Sequence, residues 1–210
     1  MATTPEGTDP EDMKAVLHRQ LQHGRDAIVW KTEGLGERAL RLPRTPTGTN
    51  LLGLVKHCAS VEIGYFGLTF GRPWPDASDV PWLAAWTSDA PDADPQADWY
   101  ATPEESAEHV LGLYRRVWAF ADATIAELPL DAPGTVPWWG EDRRQTTLGA
   151  VLAHVLADVQ RHAGHADILR EGADGAVGLS RRNDNMPGWE AQERAAYVER
   201  LRGIAEAFGD

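Results

Sequence analysis

A chain of 210 residues, 42% hydrophobic and 25% charged, has the length and make-up of one soluble globular domain with an ample core. Its 32 acidic against 20 basic side chains give a net charge of −12, which excludes binding nucleic acid through a basic surface and docking electrostatically on anionic lipid. No apolar run approaches the roughly 20 residues needed to span a bilayer.

Residues 1–8 read as a disordered N-terminus and 9–210 as a single helical domain. The opening MATTPEGTDPEDMK is polar and acidic, with no apolar signal core, which points to the cytoplasm. Asp9-Pro10 offers an N-cap followed by a first-turn proline. Met13, Val16, Leu17, Leu21, Ala27, Ile28 and Trp30 then carry a helical period to about Thr32. His18 and His23, five apart, read as surface or packing residues. Gly34 and Gly36 end this helix, and RLPRTPTGTN is a loop.

A second helix starts at Thr49 or Asn50 and runs to about Phe70, with Leu51, Leu54, Val55, Cys58, Val61 and Tyr65 on a wide apolar face. His57 sits on or beside that face. Glu62, about 140° round the helix from it, is a weaker ligand candidate. Cys58 is the only cysteine, so the chain has no internal disulfide and no thiolate cluster, and Cys58 itself reads as a small core residue. Residues 71–101 show no sustained helical period, yet carry Trp74, Trp82, Trp86, Trp99 and Tyr100. This is either a lid or wall over a pocket or a loop packed on the helices. Nine tryptophans against four phenylalanines suggest a rigid aromatic wall in the core or around a pocket. Asp92, Asp94 and Asp98 lack the spacing of a calcium loop.

The third helix is expected from Thr102-Pro103-Glu104-Glu105, which combines an N-cap, a first-position proline and a capping-box Glu, to about Leu128, with His109 on its polar side. A Pro/Gly-rich connector follows, centred on Trp138-Trp139. The fourth helix is capped by Thr146 or Thr147 and runs to about Glu171, where Gly172 stops it. Residues 172–188 form a polar loop, and a short amphipathic helix over roughly 189–207 closes the chain. The architecture is all-α: four long helices, a long crossover and a short C-terminal helix, without strand-like alternation.

Asp158 and His162, four apart, stand on one face of the fourth helix, and His165 follows on the same stripe. A carboxylate and an imidazole so placed can share one divalent ion. Two ligands do not complete a site, and His57 is the best candidate for a third. His154 lies about 12 Å along the axis from His162, too far to share an ion with it, and reads as packing. The competing reading is a buried hydrogen-bond network without metal. Such a network leaves a carboxylate among imidazoles without a cation, which is costly. The mixed nitrogen and oxygen donors favour zinc, with nickel next.

The stretches GTNLLGLVKHCASVEIGYFGLTF and HVLADVQRHAGHADILREGADG resemble the DinB/YfiT-like metal-binding superfamily, and within it the actinobacterial subgroup that uses mycothiol or a similar low-molecular-weight thiol. The resemblance covers about residues 10–175. It implies a DinB-like four-helix bundle with a metal at one end of a cavity. The implied ligands are His57, Asp158 and His162, with Asp158 standing where related proteins carry Glu or His. It also implies that His165 orients a metal-bound water or thiol, or assists proton transfer. Three protein ligands leave an open position, the mark of a catalytic site, and a thiol entering it is deprotonated. The implied activity is a thiol S-transferase or isomerase serving detoxification. Its partners would be mycothiol and an electrophilic small molecule, with a homodimer left open. A metal-dependent hydrolase and a non-catalytic, stress-related binding bundle are the alternatives. Arg143, Arg144, Arg181 and Arg182 are weak candidates for holding the thiol's carboxylate.

Overall fold

The computed structural model describes residues 12–84 and 94–209, so the expectations for residues 1–8, Asp9-Pro10, Trp86 and Asp92 lie outside the described residues. Among the described residues the chain is all-α apart from one small hairpin. Helix α1 spans Met13–Trp30, and the Asp12 side chain caps it by accepting from the Lys14 N–H. A five-residue helix, α2, covers Glu37–Arg41. Helix α3, Leu51–Glu62, is capped by Asn50 and continues through a π turn, Ile63–Gly67, into a short 3₁₀ turn ending at Phe70. Two further 3₁₀ turns, Ala77–Asp79 and Pro81–Leu83, lie in the connector. Helix α4 spans Ala107–Glu127 and α5 spans Leu148–Asp174, the longest of the set. Helix α6, Ala191–Glu206, ends the fold.

Two helix boundaries differ from the sequence expectation, each for a visible reason. The third long helix begins at Ala107, capped by Ser106, and not at Thr102. The Arg41 guanidinium donates to the carbonyls of Ala101, Thr102 and Glu105, and these oxygens are thereby withdrawn from a helical ladder. The fourth helix runs past Gly172 and stops at Gly175, whose φ of 78° is the left-handed C-terminal conformation that glycine adopts without strain. The connector before it holds two three-residue strands, β1 (Pro133–Thr135) and β2 (Gln145–Thr147), paired antiparallel with Gly134 opposite Thr146.

Helix α1 packs along α5, and α3 packs against α4 and α5. The core between them is apolar: Leu21 and Ile28 from α1, Leu54 and Val55 from α3, Leu113 and Val117 from α4, and Leu152 and Val155 from α5. One ionic network is buried inside it. Arg25 makes a bidentate pair with Glu62, at 2.5 Å for the shorter contact, and Tyr114 donates to the same carboxylate at 3.0 Å. Glu62 is thus committed to α1 and α4 and takes no part in the His57 site. The closing helix forms about where expected but buries no residue; Leu201 and Ile204 are exposed. Among the described residues no helix is long and apolar enough to cross a membrane.

Candidate metal centre

The site is built where α3 crosses α5. All of α3 is buried except His57, which is half-buried and looks across at α5. On α5, successive turns of one stripe present His154, Asp158 and His162. The structure brings together His57, Asp158 and His162, whose ligand atoms all lie within 4.8 Å of one another. His57 Nε2 lies 3.8 Å from Asp158 Oδ2, and His162 Nε2 lies 3.5 Å from Asp158 Oδ1.

These separations are long for hydrogen bonds and short for a chance meeting. A tetrahedral ion with nitrogen and oxygen ligands at about 2.0–2.1 Å sets neighbouring ligand atoms about 3.3–3.4 Å apart. Asp158 Oδ2 is buried and has no hydrogen-bond partner. Nearby, the Asp98 carboxylate lies 2.8 Å from His57 Nδ1. With the Asp98 carboxylate as the acceptor of this bond, the proton lies on Nδ1 and Nε2 is left with its lone pair towards Asp158. Neutral imidazole nitrogens and a carboxylate oxygen facing one another across a partly buried gap repel unless a proton or a metal cation lies between them. The donor set and the unpaired oxygen therefore fit a divalent ion.

Burial opposes ionisation of Asp158. With a proton on these rings, the hydrogen bond and charge of His162, then the charges of His57 and His154, outweigh it and hold the carboxyl below its ordinary range. The Asp is an anion at neutral pH, as a ligand must be. His165 is exposed, with Nδ1 3.3 Å from Nδ1 of His162. Burial of its ring, with the charges of His162 and Arg161, lowers its pKa against the pull of Asp158. It is mainly neutral at pH 7 and touches the ring edge of His162 opposite Nε2.

Among the described residues the tryptophans do not form one wall. Trp99 stacks on His57, with ring centroids 3.7 Å apart and planes 16° from parallel, and meets His162 edge-on at 5.4 Å. One turn before Asp158, His154 packs against Tyr65 and Trp139, and Trp139 donates to the Tyr65 hydroxyl. The π turn after α3 carries Tyr65 into this cluster. The candidate metal site thus lies between α3 and α5, with Trp99 on one side and Tyr65 and Trp139 one helical turn away beside His154. Trp82 and Trp30 lie over buried lysines, Lys56 and Lys31.

Several candidates stand apart from the site. His18 pairs with Asp122, while His23 and His109 are exposed. Arg181 pairs with Glu33, and Arg144 lies 3.8 Å from Glu141. Arg143 and Arg182 are exposed. Cavities of about 320 and 250 Å³ sit elsewhere, around Lys31 where α1 and α5 end. The cations lining them are already paired: Lys31 with Asp167, and Arg170 with Asp174. Sequence reasoning misses the role of Asp98 and names Trp99 only as part of a lid, a wall or a packed loop. They lie in a connector without periodicity, and Asp98 was read only for a calcium loop.

Curated proteins compared with the chain give no match. Among protein families, residues 16–175 match the mycothiol-S-transferase family, a span that holds the whole of the His57–Asp158–His162 cluster and excludes α6. The chain belongs to the mycothiol-S-transferase family.

Proposed function

We propose that this protein is a divalent-metal-dependent mycothiol S-transferase, built on a four-helix bundle of α1, α3, α4 and α5 and working in the cytoplasm on electrophilic small molecules. The observation that carries the reading is the convergence of His57, Asp158 and His162, with one Asp158 oxygen buried and unpaired. Family membership supports mycothiol as the thiol. His57 Nε2, Asp158 and His162 Nε2 would hold the ion, zinc by donor chemistry and nickel next. A bound divalent cation lowers the pKa of a thiol in its open position and so presents a thiolate at neutral pH.

The protein's own residues set up that chemistry. Asp98 holds the Nδ1 proton of His57 and turns Nε2 inwards. For His162 to ligate through Nε2, its Nδ1–H donates to Nδ1 of His165, so His165 acts through His162 by orienting the ring and raising its basicity. Trp99 covers one face of His57 and keeps water from it. The overall reaction forms a carbon–sulfur bond between thiol and electrophile, with the thiol proton passing to solvent and the leaving group departing with the bonding pair.

The test is consumption of mycothiol with a generic electrophile by metal-loaded and chelator-treated protein. Thiol consumption that needs both protein and metal is the expected result. Turnover of an activated ester with no thiol present would instead select metal-assisted hydrolysis by bound water. Elemental analysis showing no bound metal, with full stability in His57→Ala and His162→Ala, would leave a non-catalytic bundle.

A further inference from the structure

The last part of the long connector, residues 94–100, is fixed on α3. It is first closed on itself: Asp94 accepts from the Gln96 N–H at 2.8 Å and from the Tyr100 hydroxyl at 2.7 Å, and the Trp99 N–H donates to the Gln96 carbonyl at 2.8 Å. One face of α3 then receives it. Asn50 Nδ2 donates to the Trp99 carbonyl at 3.3 Å. Gly53 leaves room for that same carbonyl, since a Cβ there would overlap the Trp99 oxygen. Lys56, 1% exposed, donates to the Tyr100 carbonyl at 3.0 Å and to Glu105 at 2.8 Å. His57 is next along the chain, and against it lie the buried Asp98 carboxylate and the Trp99 ring.

These contacts explain a glycine and a buried lysine that the metal ligands alone do not require. Glycine in a helix interior is unfavourable relative to alanine. It is retained at 53 because the Trp99 backbone passes where a side chain would stand. A buried ammonium is costly unless paired, and Lys56 is paired with the carbonyl and carboxylate that flank the end of the docked segment.

We infer that Asp98 is a positioning residue of the metal centre, and that Asn50, Gly53 and Lys56 form its seat on α3. This rests on the proposed metal site and extends it to residues that touch neither ion nor substrate. Which imidazole nitrogen is protonated is set by the hydrogen bond the other makes. With Asp98 in place, His57 carries its proton on Nδ1 and offers Nε2. Without it, protonation at Nε2 closes that ligand position. Carboxylate–histidine–metal arrangements of this kind govern metal affinity as well as geometry, and losing the outer partner weakens binding about 10–100-fold.

Two variants test the inference, Asp98→Ala and Gly53→Ala. The second displaces the segment without altering either partner of the Asp98–His57 bond, and on local helix propensity alone it favours α3. Zinc affinity is read by competition with a chromophoric chelator, folding by circular dichroism and thermal melting. The His57 tautomer is read by nitrogen-15 NMR of metal-free, histidine-labelled protein at about pH 8, above the ordinary imidazole range. The expected result is a folded Gly53→Ala protein with zinc affinity lowered about 10–100-fold, like Asp98→Ala. Wild type is expected to show the proton on His57 Nδ1, and both variants to lose that preference. Wild-type tautomer and affinity in both variants overturn the inference. If wild type binds no zinc, the metal proposal and with it the role of Asp98 at a metal centre fail, while the NMR readout on metal-free protein still decides whether Asp98 sets the His57 tautomer. A Gly53→Ala protein that does not fold leaves the decision to Asp98→Ala and the same NMR readout.

Discussion

Asp158 stands between two imidazoles and contributes the only negative charge among the three ligand candidates. Asp158→Asn keeps its shape and removes that charge. A neutral amide oxygen is a poor donor to zinc, so affinity is expected to fall on the order of 100-fold, whereas Asp158→Glu, one methylene longer, keeps the carboxylate and retains metal. Chelator competition checks both; an Asn variant that holds zinc like wild type would remove Asp158 from the ligand set. Cys58, next to His57 in sequence, is not the nucleophile. Burial pushes its thiol well above the ordinary range, the charges of Asp158 and Glu62 add to this, and a hydrogen bond with Tyr114 does not offset them. Native protein is expected to resist a thiol-selective alkylating reagent at neutral pH and to react once denatured; fast native labelling, followed by mass spectrometry, would contradict it. The Asp158–His162 pair was readable because two residues four apart on a helix must share a face. His57 was reachable only as a candidate, since nothing in its own stretch fixes what it faces. Asp98 gave no signal at all: its partner is remote in sequence, and a loop has no period to reveal direction.

At the scale of the helices, apolar periodicity identified the four long segments, and their ends were decided by tertiary contacts. Thr102-Pro103-Glu104-Glu105 has the composition of a helix start, and Glu105 does accept from the Thr102 N–H at 2.7 Å. Arg41, however, occupies the carbonyls that a helix there would use, and α4 starts at the next available cap. Ser106→Ala is therefore expected to cost about 1 kcal/mol and Thr102→Ala less than about 0.5 kcal/mol in urea unfolding; the reverse order would return the cap to Thr102. Glu62 joins α3 to α1 and α4, because its carboxylate takes both Arg25 and Tyr114. Glu62→Gln keeps the volume and leaves Arg25 buried, with Asp122 as its remaining anion at 2.7 Å. The expected loss is about 3 kcal/mol by urea unfolding, and a variant as stable as wild type would show the ionic pair to be dispensable. The β1–β2 pair had no sequence signal, since three residues are too few to show alternation and their partners lie ten or more positions away.

For the molecule as a whole, the candidate ligands join segments that are far apart in the chain. His57 belongs to α3 and, through Asp98, to the end of the connector; Asp158 and His162 belong to α5, which packs on α1. Metal bound there favours the folded state over any unfolded chain in which these segments separate. Helix α6, by contrast, lies outside the span matched to the family and buries none of its residues, so it adds little to that coupling. Free zinc at about 100 times its dissociation constant stabilises the fold by about 2.7 kcal/mol. For a chain of this length that raises the melting temperature by about 5–10 °C. The rise is expected to vanish with chelator and in His162→Ala. Calorimetric melts with and without zinc decide the matter: an unchanged melting temperature in wild type, or an equal rise in His162→Ala, would place any bound zinc outside the site between α3 and α5.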